Sequence, residues 1–84
     1  MSMTYGKYVI VKEGGLEVAI CFDNLLPHST FKNFNPVAAG FFEVLCMDDA
    51  EGVYIFGKSV SLDLPSREDR DNHLIFKILK GKYL

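Results

Sequence analysis

The sequence VAAGFFEVLCMDDAEGVYIFGKSVSLDL, residues 37–64, contains two apolar, aromatic-rich runs separated by the polar stretch DDAEG. Two such runs with a glycine-containing break between them predict an antiparallel β-hairpin. Apolar side chains occupy both alternating sets of positions, as at Phe41 and Phe42 on the first arm and at Tyr54 and Ile55 on the second. A strand with one solvated face alternates apolar and polar residues, so we expect this hairpin to be covered on both faces.

Each face of this hairpin must pack against a different element. A C-terminal helix of the same chain is expected to cover one face, and a different partner is then required for the other. We expect that partner to be a second copy of the chain, so that the protein is a homodimer. The candidate interface residues are Phe41, Leu45, Tyr54 and Phe56.

Length and composition indicate one small folded domain over residues 1–84. Apolar residues make up 49% of the chain and aromatic residues 13%, which is typical of a chain that buries a core and argues against disorder. The net charge of −2 and the pI near 5.5 provide no excess of positive charge to attract nucleic acid or anionic lipid. These values argue against a nucleic-acid-binding protein.

Two cysteines and two histidines are the residues that could suggest a metal site. Cys21 and Cys46 both fall in predicted strands, where a buried thiol is the common role; a cross-strand disulfide and a reactive thiol are the alternatives. Neither belongs to a C-x-x-C pair, and His28 and His73 do not complete a zinc-site spacing. We expect no metal and no cofactor. No secretory signal or apolar run of about 20 residues appears, so we expect a cytoplasmic protein without membrane contact.

The segments before the central hairpin predict a first hairpin and a connection. Residues 7–11 and 16–22 are rich in β-branched and aromatic side chains and flank a Gly-Gly pair, which predicts a tight turn between two strands. Residues 23–39 contain two prolines and break the strand periodicity. We expect an ordered connection there, with a short helical turn.

A C-terminal helix is predicted from about residue 67 to residue 80. Ser66 followed three residues later by Asp69 matches a capping box, and Gly81 is expected to stop the helix. The predicted apolar face is Leu74, Ile75, Ile78 and Leu79. The polar face is either solvated or a basic stripe that meets phosphate, and its residues are Arg70, His73, Lys77 and Lys80.

Polar side chains around the second arm of the central hairpin are candidate ligand contacts. Gly57 predicts a bulge or a close backbone approach, and Ser59 and Ser61 beyond it are expected on a solvated strand face. Together with Ser66 and Arg67 at the helix start, these hydroxyls could bind an anion or a small ligand such as a nucleotide. The alternative is an ordinary exposed strand face followed by a helix cap.

His28, in the connection, is the remaining candidate ligand residue. A catalytic set requires a nucleophile, a base and an orienting group that meet in space, and the sequence fixes no such meeting around His28. No glycine-rich phosphate loop, paired-carboxylate motif or G-x-S-x-G elbow appears. We therefore expect a protein that is not an enzyme.

Four short blocks carry a resemblance to a known group of sequences. LLPHS (residues 25–29), VAAGFFEV (residues 37–44), GKSVSL (residues 57–62) and SRED (residues 66–69), in this order and spacing, resemble a group of short uncharacterised proteins encoded by bacteriophages and prophages. The resemblance implies a phage or prophage product that works in bacterial cytoplasm, and it transfers no catalytic residue. The resemblance also marks five positions as worth testing by mutation: Gly40, Ser59, Ser61, Ser66 and Arg67.

The segments together predict an α+β fold: an antiparallel sheet of about four strands in two hairpins, a short helical turn between them, and a C-terminal helix packed on one face. The first functional hypothesis is a non-enzymatic interaction protein that self-associates through its sheet, with a host protein as its further partner. The alternative is a small-ligand or nucleotide-sequestering protein.

Overall fold

The computed structural model describes residues 5–45 and 52–83 of the 84-residue chain. Strands β1 to β4 form one antiparallel sheet in the order β2–β1–β3–β4, and β5 and β6 pair as a small separate hairpin. In chain order the elements are β1 (Tyr5–Glu13), β2 (Leu16–Phe22), a 3₁₀ segment (His28–Phe34), β3 (Pro36–Val44), β4 (Val53–Phe56), β5 (Lys58–Ser59), β6 (Leu64–Pro65) and α1 (Glu68–Tyr83). The predicted α+β fold is confirmed, with its two hairpins, its helical turn and its C-terminal helix.

The two hairpins meet through β1, which pairs with β2 on one side and with β3 on the other. Gly14 and Gly15 form the first turn, as predicted. In the second hairpin Phe41 pairs with Phe56 and Val44 with Val53. Cys46 and the acidic part of the predicted turn lie outside the described residues.

One face of the sheet packs against α1. Strand alternation turns Tyr8 and Ile10 of β1 toward this face, where both are fully buried. Phe42 of β3 joins them from the neighbouring strand, and Ile75 and Leu79 of α1 pack on the cluster from above. The larger of the two cores therefore lies between sheet and helix.

The chain itself covers part of the opposite face. Val9 and Ala39 are fully buried there although α1 lies on the other side of the sheet. Phe31 of the 3₁₀ segment and two leucines of the β5–β6 hairpin, Leu62 and Leu64, pack against them. The expectation that only an outside partner could cover this face was wrong for this part, because the connection and the small hairpin fold back over β1 and β3.

Gly57 ends β4 instead of continuing it. Its φ of +76° lies in the left-handed region that glycine tolerates, and this turns the chain away from the strand. The expected solvated strand face beyond it was wrong, because Ser59 is fully buried and Val60 is 84% exposed. The chain turns back at residues 60–63, so Ser59 and Val60 exchange the predicted buried and exposed sides, whereas Leu62 and Leu64 still pack on the sheet.

The helix differs from its prediction at both ends. The N–H of Ser66 donates to the carbonyl of Gly57 and not to Asp69, so the predicted capping box is not formed. α1 also continues through Gly81 to Tyr83. Its buried stripe is Asp71, Ile75 and Leu79, whereas Ile78 is 39% exposed. Leu74, Ile75 and Leu79 of the predicted apolar face pack on the core, and the buried stripe continues toward Asp71 instead of Ile78.

Alanine substitutions test two of these features: the close packing around Gly40 and the continuation of α1 through Gly81. A Cβ on Gly40 would lie 2.9 Å from the carbonyl oxygen of Phe56 and 3.0 Å from the Cβ of Ser66. Gly40→Ala is expected to lower the free energy of unfolding by about 1–3 kcal/mol through overpacking. Gly81→Ala, the same change inside a helix, should raise it by up to about 1 kcal/mol. Urea unfolding checks both; an unchanged midpoint for Gly40→Ala would contradict the close approach.

Candidate interaction surface

An uncovered patch remains on the sheet face opposite α1. The register brings Phe41 next to Phe56, and Tyr54 two residues before Phe56 points to the same side. Tyr5 on β1 and Leu45 just after β3 continue the same alternation. We call these five side chains the open face; Tyr5, Leu45, Tyr54 and Phe56 are 62%, 69%, 57% and 38% exposed. The exposed Glu43 pairs with both Tyr5 and Tyr54 and lies on the same face among them. The four predicted interface residues thus share one face.

Three aromatic rings of the open face form a stacked row. The ring centroids of Phe41 and Phe56 lie 5.7 Å apart with an interplanar angle of 19°. Those of Tyr54 and Phe56 lie 5.3 Å apart at 21°. Stacked rings hold one another in place and lose little conformational entropy when a partner covers them. The row is therefore a preorganised apolar surface.

His28 packs against one end of this row. It lies at the start of the 3₁₀ segment, is 4% exposed, and its ring meets Phe41 edge-on with centroids 5.4 Å apart. Its Nε2–H donates to the carbonyl of Gly40 over 2.8 Å, since a carbonyl can only accept. Burial lowers the pKa of His28, so the ring favours its neutral form. These contacts make His28 a packing residue of the sheet; its predicted ligand role stays a prediction.

The predicted serine contacts are engaged within the chain. Ser59 Oγ accepts from the N–H of Leu62 over 3.1 Å and lies 3.4 Å from the hydroxyl of Ser61. Ser66 Oγ donates to the carbonyl of Gly57 over 2.7 Å. These bonds close the β5–β6 hairpin onto the end of β4. A ligand at this end would compete with bonds that already hold the backbone.

Arg67, the cationic member of that predicted site, belongs to a charge network. Its Nη1 and Nη2 form a bidentate pair with the carboxylate of Glu17 at 3.1 and 2.9 Å, and its Nε donates to Asp71 over 2.8 Å. Arg70 also donates to Glu17 over 2.8 Å. The bonds to Glu17 raise the pKa of Arg67, and the bonds from Arg67 lower the pKa of Glu17. The guanidinium is therefore directed along the surface toward β2.

The centre of this network is the fully buried carboxylate of Asp71, which sequence reasoning missed. The hydroxyl of Tyr8 donates to it over 2.6 Å and the N–H of Arg67 over 2.7 Å. Burial raises the pKa of Tyr8, and the bond to Asp71 raises it further. One signal was available: Asp71 precedes Ile75 and Leu79 at intervals of four, so it lies on the same helical stripe as two core residues.

Two grooves flank the sheet. One, of about 540 Å³, follows the outer edge of β4 and is lined by residues 53–57 together with Ser66, Asp69 and Asn72. The other, of about 570 Å³, lies between β1, β2 and the end of the 3₁₀ segment and includes Val18, Ile20 and Phe34. Only the first adjoins the aromatic row.

The described residues contain neither a metal-binding cluster nor a membrane-spanning helix. Within residues 5–45 and 52–83 no group of three His, Cys, Asp or Glu side chains is placed to hold a metal ion. No helix in this part of the chain has the length and apolar character needed to span a bilayer. Comparison with protein-family models, curated proteins and solved structures finds no match to the chain.

Replacing the buried carboxylate tests the network. In Asp71→Asn the amide oxygen can still accept, but the amide N–H₂ meets donors that belong to Tyr8 and Arg67, so buried donors are left without an acceptor. We expect the free energy of unfolding to fall by about 1–3 kcal/mol. Asp69→Asn, the same change on the exposed side of the helix, should lower the free energy of unfolding by no more than about 0.5 kcal/mol. Urea unfolding of both variants separates the two cases, and equal losses would contradict the assigned role of Asp71.

The lowered pKa of Glu17 predicts a pH dependence of stability. Because the folded state holds the carboxylate below its ordinary pKa of 4.5, the stabilisation is fully present above that pH and is lost as the pH falls further. Glu17→Gln should flatten the acid limb of a plot of unfolding free energy against pH. Glu13→Gln, an exposed acid outside the network, is the control and should keep the parental slope. A parental slope in Glu17→Gln would refute the assignment.

Proposed function

We propose that this chain is a non-enzymatic interaction protein that self-associates through the open face. The observation that carries the proposal is the stacked row of Phe41, Phe56 and Tyr54, in which Tyr54 is 57% and Phe56 38% exposed. Exposed apolar side chains that cluster on one face and are bordered by polar residues are typical of sites that bind a partner.

The open face is about as large as the largest apolar patch of a typical monomer, and such patches are often functional. The exposed fractions of Tyr5, Leu45, Tyr54 and Phe56 correspond to roughly 500 Å² of mostly apolar side chain. This lies in the upper part of the range of about 300–600 Å² for the largest patch on a monomer. Covering it contributes favourable free energy at about 25 cal/mol per Å².

The resemblance to bacteriophage and prophage proteins extends the proposal. It implies a phage or prophage product that works in bacterial cytoplasm, and the dimer would then act as a modulator of a host protein. The open face supports the self-association step of this proposal, whereas the host partner rests on the resemblance alone.

The alternative function, small-ligand or nucleotide binding, has one observation in its favour. Ser66 lines the groove beside β4 together with Asp69 and Asn72. However, Arg67 pairs with Glu17 and Asp71, so its charge is neutralised within the chain. An anionic ligand in this groove would meet Asp69 without a free guanidinium to balance it. Self-association is therefore the better-supported function.

Sedimentation velocity over a range of concentrations tests the proposal. The wild type is expected to pass from monomer to dimer. Tyr54→Ser should raise the dissociation constant by about tenfold to a hundredfold, because a two-fold interface loses the ring twice. Val60→Ser, which also replaces an exposed apolar side chain but lies outside the open face, should leave the constant unchanged. A wild type that sediments as a monomer at every concentration would overturn the proposal.

A further inference from the structure

We infer that two reciprocal ion pairs complete the contact between two copies at the open face, with Lys7 of each copy reaching Glu43 of the other. The inference rests on the proposed self-association and names the polar contact that accompanies the apolar one. It commits the second copy as the occupant of this face, because that copy brings one cation to each Glu43.

Glu43 is an exposed carboxylate within the open face. The register places it between Tyr5 on β1 and Tyr54 on β4. Within residues 5–45 and 52–83 the ion pairs all involve Glu17 or Asp71, so Glu43 has no cation of its own there. A partner that covers this face removes Glu43 from water, and burial of a carboxylate without an opposite charge is strongly unfavourable. The covering surface must therefore bring a cation to Glu43.

Lys7 is the cation that the sheet carries on this same face. The four strands of the sheet contain two cationic residues, Lys7 and Lys12, both on β1. Strand alternation places Lys7 on the side of Tyr5, whereas Lys12 lies opposite Glu17 on the helix side. Both arginines of the chain are held by Glu17. In a contact between two open faces, Lys7 is therefore the cation available to Glu43.

Lys7 and Glu43 lie close together within one copy but do not pair. Lys7 is opposite Phe41 and Glu43 is opposite Tyr5, so the two are diagonal neighbours on adjacent strands. The ammonium of Lys7 instead donates to the carbonyl of Leu26 over 3.0 Å, in an exposed bond. An ammonium has three N–H donors, so this bond leaves others for a carboxylate of the second copy.

Two-fold symmetry makes this surface complementary to itself. In a two-fold interface every contact between unlike residues occurs twice, so a contact from Lys7 to Glu43 pairs both acids with both bases. A two-fold contact without these pairs would bring two carboxylates to one interface, and like charges at an interface are unfavourable. An apolar or acidic partner would leave Glu43 unpaired, so the charges favour a second copy.

The tyrosines beside Glu43 add to the attraction for a cation. Tyr5 and Tyr54 are 62% and 57% exposed and lie on either side of the carboxylate. A tyrosine ring attracts an ammonium that lies over its face within about 6 Å of the centroid. The aliphatic stem of a lysine also packs on apolar surface while its charge stays at a polar group. The surroundings of Glu43 therefore suit a lysine side chain.

Charge reversal tests the inference by sedimentation velocity. Glu43→Lys and Lys7→Glu each turn two attractive contacts into two repulsive ones, so either variant alone should raise the dissociation constant by about a hundredfold or more. An equimolar mixture restores opposite charges at both contacts, because Lys7 of one variant meets Glu43 of the other and the two introduced side chains meet each other. The mixture should form a heterodimer within about tenfold of the wild-type constant. Pairing inside one copy cannot produce this rescue.

Glu43→Gln is a second test that changes one exposed strand residue. If the ion pairs form, the variant leaves Lys7 unpaired and should raise the dissociation constant by about tenfold or more. If they do not form, removing an unpaired carboxylate from the contact should lower the constant or leave it unchanged. Glu13→Gln, an exposed acid at the other end of β1, is the control and should keep the wild-type value.

The outcomes separate this inference from the proposed function. A wild type that dimerises, with a Glu43→Gln variant that dimerises as tightly or more tightly, would overturn the ion pairs and leave self-association intact. Folded reversal variants that stay monomeric when mixed would do the same. The direction of the Glu43→Gln effect decides the question alone if a reversal variant does not fold. A wild type that is monomeric at every concentration would overturn both proposals.

Discussion

The fold depends on how one buried carboxylate is compensated. Asp71 lies with no exposed surface at the head of the apolar stripe of α1, where an isolated charge would be strongly unfavourable. Three donors from Tyr8 and Arg67 surround it, and Arg67 is in turn held by Glu17. These bonds join the start of the helix to β1 and β2. Apolar contacts alone are not directional, so this network defines where α1 crosses the sheet.

The position of the helix start has a consequence for the opposite edge of the sheet. Asn72, on the first turns of α1, reaches the carbonyl of Val53, and Ser66 just before α1 reaches that of Gly57. Both contacts protect β4 against uncontrolled pairing with other strands. They leave the backbone of Ile55 between them. The network that positions the helix therefore also determines how this edge of β4 is capped.

The two faces of the sheet have different roles in this arrangement. The helix face is closed by Ile75 and Leu79 and contributes the larger core. The other face is closed only where the 3₁₀ segment and the β5–β6 hairpin fold over it. His28 lies at the boundary, since it bonds to Gly40 and also contacts the ring of Phe41. Because Phe41, Phe56 and Tyr54 already pack on one another, a partner that covers this row would bind with little loss of side-chain conformational entropy.

The sequence by itself determined the two hairpins, the helical turn, the C-terminal helix and the shared face of Phe41, Leu45, Tyr54 and Phe56, because strand alternation and turn residues are local properties. Only the tertiary structure decided what covers that face and where the charges go. Ser59 is buried and Val60 exposed because the chain leaves β4 at Gly57 and turns back at residues 60–63. Arg67 meets Glu17 across 50 residues of sequence. Such contacts depend on which strands become neighbours, and local periodicity does not carry that information.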